Sequence, residues 1–127
     1  MLLDVDECQL VLVDYQEKLM PAMRDGEQVV ANALRLAQAA RLLEVPIWAT
    51  EQNPLKLGGN VPALAALADK TLHKMSFSAA TPELLDTLRP PARPAGGNAR
   101  SLPKHLRKPE VAEPERPTIV LAGCETH

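Results

Sequence analysis

The feature that most constrains the fold is a short run, Leu10-Val11-Leu12-Val13, apolar at every position and closed at once by the polar trio Asp14-Tyr15-Gln16. A run apolar on both faces has to be covered on both, which is the condition of a strand inside a parallel sheet. The competing reading, a helical turn, fails because the run is short and the periodicity changes straight after it. Over residues 27–44 the pattern becomes helical. Val30, Ala33, Leu34, Ala37, Ala40 and Leu43 recur at three- and four-residue steps, while Asn32, Arg35, Gln38 and Arg41 fall mostly elsewhere. Asp25-Gly26 marks the entry and Pro46 the stop. Ile47-Trp48-Ala49-Thr50 then reads as a second strand. Strand, helix and strand with tight joints make a βαβ unit, which crosses over right-handed and lays its helix on a parallel sheet.

The pattern continues in the same sense. A loop over residues 51–60 carries Pro54, Gly58 and Gly59, and residues 62–67 form a short helix with Pro62 in its first turn. Thr71-Leu72-His73-Lys74 reads as a weaker third strand. Thr81-Pro82-Glu83 opens a helix to about Leu88, with Thr81 as N-cap and Pro82 at the first helical position. Residues 89–117 differ in character: seven of the chain's 12 prolines fall there, and five Arg and two Lys face three Glu. So Pro-dense a stretch builds neither a ladder nor a long helix and is read as an extended surface insertion. Its positive charge suits either an anionic partner or plain solvation. Thr118-Ile119-Val120-Leu121-Ala122 is a strongly buried fourth strand, closed by Gly123.

Length and composition bound the rest. The 127 residues fit one domain, residues 1–127, and 46% hydrophobic residues place it among globular chains. With Tyr15, Trp48 and Phe77 as the whole aromatic complement, the core is aliphatic and base-stacking surfaces are not expected. A net charge of -2 gives no basic field for nucleic acid. Cys8 and Cys124 do not make a disulfide framework, and Cys8, ahead of the first strand, reads as structural. Asp4 and Asp6 interrupt any signal-peptide core, and no apolar run approaches the roughly 18 residues that span a bilayer. The expectation is a cytoplasmic protein with no membrane partner.

Polar residues cluster where each strand ends: Asp14, then Glu51-Gln52-Asn53, then Lys74, then Glu125-Thr126-His127. In open parallel sheets ligands bind outside the carboxyl ends of the strands. Singly, such residues also simply mark loops. Asp14, an acid at the end of a buried strand, and Lys74, a nearby cation, stand out as a pair suited to proton transfer beside a nucleophile. A receiver-type signalling domain shares the architecture. It needs an acidic pair after the first strand and an Asp after the third, which Asp14-Tyr15-Gln16 and Lys74 do not supply.

Four segments, Leu12-Val13-Asp14-Tyr15-Gln16, Ala49-Thr50-Glu51-Gln52-Asn53-Pro54, Lys74-Met75-Ser76-Phe77-Ser78-Ala79 and Ala122-Gly123-Cys124-Glu125-Thr126-His127, come in order and at compatible spacing. Together they resemble the isochorismatase-like cysteine hydrolases, the superfamily that includes nicotinamidases, and in particular its isochorismatase-domain branch. The resemblance runs from about Leu10 to His127, interrupted by the Pro-rich insertion. It implies an α/β, Rossmann-like three-layer sandwich with a parallel sheet and an Asp-Lys-Cys triad. Asp14 matches the general base, and Lys74 the lysine that balances charge and stabilises developing negative charge. The family nucleophile, a cysteine at the start of the helix after the fourth strand, falls two residues beyond His127. The expectation is therefore an incomplete domain whose C-terminal part is missing.

The resemblance places Cys124 and Glu125 in the turn that aims a backbone N–H into the oxyanion hole, through a cis peptide between them. It leaves Cys124 as a lesser alternative for the nucleophile. Gln16, Gln52, Phe77 and His127 are carried over as substrate-pocket residues, Gln16 either orienting Asp14 or capping a turn. Nicotinamidases bind a metal through an Asp-x-His after the second strand. Thr50-Glu51-Gln52-Asn53 has no histidine, so no metal and no cofactor are expected, and His73 reads as a strand-end surface residue. The substrate implied is a small molecule and the assembly a homo-oligomer. The alternative is a non-catalytic member that keeps the fold and acts through oligomerisation.

Overall fold

The computed structural model describes residues 2–90 and 116–124. Four strands, β1 (Cys8–Val13), β2 (Ile47–Gln52), β3 (Lys70–Lys74) and β4 (Thr118–Gly123), form one sheet in the order β3-β2-β1-β4, all pairs parallel. Helices α1 (Gly26–Leu42) and α4 (Pro82–Leu88) pack against its two faces, and two short helices, α2 (Pro54–Leu57) and α3 (Pro62–Ala65), lie between β2 and β3. This is the expected three-layer α/β arrangement. The chain steps outward from β1 to β2 to β3 and then returns to the far side of β1, so the order reverses between β1 and β4. A crevice beyond the carboxyl ends of those two strands is where such sheets take ligands.

Alternation of side chains divides the core in two. Leu10 and Leu12 of β1 and Ile47 and Ala49 of β2 join Ala33, Ala37 and Ala40 of α1 and Leu64 of α3 in the larger cluster. Burying a Leu or Ile of this kind contributes roughly 1.5–3 kcal/mol. The alanines recur at helical spacing, and their small side chains let α1 lie close on the sheet. On the other face Val11 packs with Leu84 and Leu88 of α4, flanked by Val13, Trp48 and Leu72.

Several boundaries depart from the sequence reading for local reasons. The long helix stops at Leu42, two residues earlier than expected. Glu44 turns left-handed (φ 57), and the amides of Leu43 and Val45 fold back onto the carbonyls of Ala39 and Ala40, so the helix is closed before Pro46 is reached. At the other end Asp25 is itself left-handed (φ 54) and makes no side-chain cap. Gly26 is required there, because a Cβ would lie 2.4 Å from the carbonyl oxygen of Met20. Strand β2 runs on to Gln52 and α3 is shorter than read. Thr81 caps α4 as expected, accepting from the amide of Leu84 at 3.3 Å.

Strand β4 corrects the expectation of strong burial. Its residues alternate between half-buried and exposed, with Ile119 42% and Leu121 69% accessible. It is an edge strand, and among the described residues nothing covers the face that these two side chains occupy. Of the Pro- and Arg-rich insertion, residues 91–115 lie outside the described residues. Its two stems are joined by the buried side chain of Gln9. The amide nitrogen donates to the carbonyls of Leu88 (3.0 Å) and Arg116 (2.7 Å), and its oxygen accepts from the indole N–H of Trp48 at 2.8 Å. The Arg116 guanidinium in turn donates to the carbonyls of Val5 and Cys8.

Candidate active site

Asp14 follows the last residue of β1 and takes a left-handed conformation (φ 56), which bends the chain away from the strand direction. Its amide donates to the carbonyl of Thr50 at 3.2 Å, tying the end of β1 to β2. Lys74 closes β3, on the far side of β2, and its side chain reaches back across the strand ends. The Lys74 Nζ donates to Asp14 Oδ2 at 2.9 Å, with the two side chains only 3% and 13% accessible. The other carboxylate oxygen, Oδ1, accepts from the hydroxyl of Thr50 at 2.8 Å.

The ammonium also donates to the carbonyls of Ser76 (3.1 Å) and Phe77 (3.0 Å). An ammonium has three N–H bonds, so all three of Lys74 are placed. The lysine supplies positive charge to the site but keeps no N–H in reserve, which modifies the expectation that it meets developing negative charge directly. A pair this deeply buried is stable only when its remaining hydrogen-bonding capacity is filled, and the folded-back segment after β3 fills it.

Gln16 does not orient Asp14. It is fully buried, donates to the carbonyls of Gln52 (2.8 Å) and Gly58 (2.7 Å), and accepts from the amide of Gln52 at 2.7 Å. Of the two roles read for it, the one found is local: it stitches the chain after β1 to the end of β2 and to the following loop. Gln52 enters this arrangement through its backbone. Phe77 is about half exposed and touches the ion pair through its carbonyl.

Cys124 sits one residue past Gly123, the register partner of Val13, and therefore beside the start of the Asp14 turn. Its side chain packs against the α1-side core, with Sγ 4.0 Å from Met20 Sδ. Close approach of the strands here depends on Gly123, whose Cβ would stand 3.2 Å from that of Val13. Cys8 is buried in the same core, in keeping with a structural role. Glu125 and His127, and with them the expected oxyanion peptide, lie outside the described residues.

Three further residues matter here, of which the sequence singles out only Glu51, as one of the polar residues where the second strand ends. Thr50 is one. Glu51 is another: it is buried, accepts from the amide of Asn60 through Oε2, and lies with Oε1 3.0 Å from Nε2 of His73. His73 is otherwise exposed, as read. The signal for Glu51 was the Gly58-Gly59 pair, since a Cβ on Gly59 would come within 3.1 Å of the Glu51 carboxylate. Tyr15 is the third. Its hydroxyl is pushed up to about 12, first by burial and then by the negative charge that a Cys124 thiolate places nearby. Among the described residues no three His, Cys, Asp or Glu side chains converge as metal ligands do.

A parallel α/β sheet with a buried acid–lysine pair at its switch point is the architecture of a hydrolase-like Rossmann fold. The chain belongs to the isochorismatase domain family, whose model matches residues 8–127. It is 44% identical over 80 residues to isochorismatase domain-containing protein 2 of Danio rerio, a match covering 63% of this chain and 41% of that protein. The Homo sapiens protein of the same name is 44% identical over 69 residues, covering 54% and 34%. The chain thus matches about two fifths or less of the length of these relatives. Among solved structures, the MAR1 ribonuclease of Caenorhabditis elegans superposes with a TM-score of 0.63 at 31% identity, over 68% of this chain and 46% of that one. The Escherichia coli YcaC gene product, an octameric hydrolase of unknown specificity, gives 0.52 at 26%, over 58% and 39%.

Proposed function

We propose that Asp14 and Lys74 are the base and the charge-balancing lysine of a cysteine-dependent hydrolase that acts on a small molecule. One observation carries this reading: a carboxylate at the sheet's switch point, held on one oxygen by a buried ammonium at 2.9 Å and on the other by a buried hydroxyl at 2.8 Å. A carboxylate so fixed keeps lone pairs for one further proton and loses little entropy in taking it.

In the proposed reaction Asp14 accepts the proton of a cysteine thiol. The thiolate attacks a carbonyl carbon, and the adduct collapses to a thioester as the leaving group departs with the proton held by Asp14. Water, giving its proton to Asp14, then hydrolyses the thioester, and the thiolate recovers that proton. The thiol belongs, by the family pattern, two positions beyond His127. The turn at Cys124-Glu125 would offer its backbone N–H to the oxyanion. Because every N–H of Lys74 is engaged, oxyanion stabilisation is assigned to that backbone. The same saturation favours a small, uncharged reacting group over a polyanion such as the substrate implied by the ribonuclease name of the worm neighbour. We place the protein in the cytoplasm as a homo-oligomer, a state supported by the octamer of the E. coli neighbour and by the exposed apolar side chains of β4.

The test is made on the protein as its gene encodes it, with p-nitrophenyl acetate as probe. Iodoacetamide-sensitive hydrolysis should fall at least about 100-fold in Asp14→Asn, the range of a lost general base. Full activity in that variant sinks the base assignment. A natural stop codon directly after His127 sinks the triad and leaves the non-catalytic reading.

A further inference from the structure

The triad scheme accounts for one of the two groups that hold Asp14 and leaves out the other. Thr50 is 1% exposed, so its hydroxyl has been taken out of water. That is costly unless the group finds a partner. A valine fills nearly the same space and suits a strand equally well, so packing alone does not call for a hydroxyl at this position. Its one proton goes to Asp14 Oδ1 at 2.8 Å, while its carbonyl accepts the amide of Asp14 at 3.2 Å. One residue thereby grips both the backbone and the side chain of an aspartate in a left-handed conformation. Lys74 alone holds a single oxygen, which leaves the side chain able to change its χ1 rotamer about that contact. Donors on both oxygens fix it.

We infer that Thr50 is the positioning residue for Asp14, holding its carboxylate in one rotamer for proton abstraction; this rests on the reading of Asp14 as base. The hydroxyl, not the bulk, carries the role.

Asp14 side-chain couplings measure it directly. In the parent chain, the three-bond N–Cγ and C′–Cγ couplings of Asp14 should be those of a single staggered rotamer. They should average in Thr50→Val and return in Thr50→Ser. Couplings already averaged in the parent, or unchanged in Thr50→Val, overturn the inference. Should Thr50→Val not fold, the parent decides: the Thr50 hydroxyl proton is expected as an observable, exchange-protected resonance, and its rapid exchange with water refutes the contact. In the gene-encoded protein, kcat toward p-nitrophenyl acetate should drop about tenfold in Thr50→Val with little change in KM, and Thr50→Ser should restore it. Equal losses in both variants would assign Thr50 to packing only. Failure of the base assignment looks different, because Asp14→Asn would then stay active while the couplings behave as described.

Discussion

At the scale of single residues, the site is governed by saturation. Lys74 donates to Asp14, Ser76 and Phe77 from a side chain 3% accessible, so no N–H is left over. Lys74→Met is expected to destabilise the fold by about 3–5 kcal/mol, because it leaves a buried carboxylate without its cation. Urea denaturation at neutral pH checks the figure, and a loss under about 1 kcal/mol would refute the burial argument. Tyr15 makes a pH prediction. Its hydroxyl titrates near 10 in the unfolded chain and is raised to about 12 in the folded one, chiefly by burial. The folded state therefore prefers the protonated phenol. That share of stability is complete below pH 10 and is lost as pH climbs through about 12. Tyr15→Phe should flatten the decline across this window, read from urea midpoints on either side of it. Asp14 could be picked out because it ends an apolar run, and Lys74 because it is the cation that ends the third strand. Thr50, Gln9 and Gln16 were not: a polar side chain within or beside a strand does not announce a partner 36 or more positions away.

At the scale of elements, what could be read was periodicity and what could not was closure. The burial of β1 follows from its unbroken apolar run, and α1 from its alanines at helical spacing. The ends of α1 depend on left-handed turns at Asp25 and Glu44, residues whose composition does not reveal that conformation. Strand β4 misled because its apolar run matches that of β1, whereas burial depends on what lies against it; at the sheet edge the same pattern stays half open. Gly26 supplies the prediction at this scale. Its missing Cβ is where the Met20 carbonyl sits, so Gly26→Ala forces the 3-10 turn Met20–Ala22 away from α1. A loss of about 1–3 kcal/mol is expected, against the usual gain from replacing helical Gly by Ala. A thermal melt showing stabilisation would contradict it.

At the scale of the whole molecule, the α4-side face of the sheet is covered over β1 but, among the described residues, left open over β4. Ile119 and Leu121 stand out from an edge strand, a geometry that invites association. The 127-residue chain on its own is expected to sediment as a dimer or larger at tens of micromolar. Leu121→Lys, which sets a charge on the edge, should shift it toward monomer. Sedimentation velocity distinguishes the cases, and a parent that stays monomeric removes β4 as an association surface. The entry to that same strand is built with more economy. The Gln9 amide clasps the carbonyls of Leu88 and Arg116 at once. Leu88 and Arg116, far apart in the chain, are thereby moored to one side chain, so losing the Gln9 amide would cast off the end of α4 and the start of β4 together.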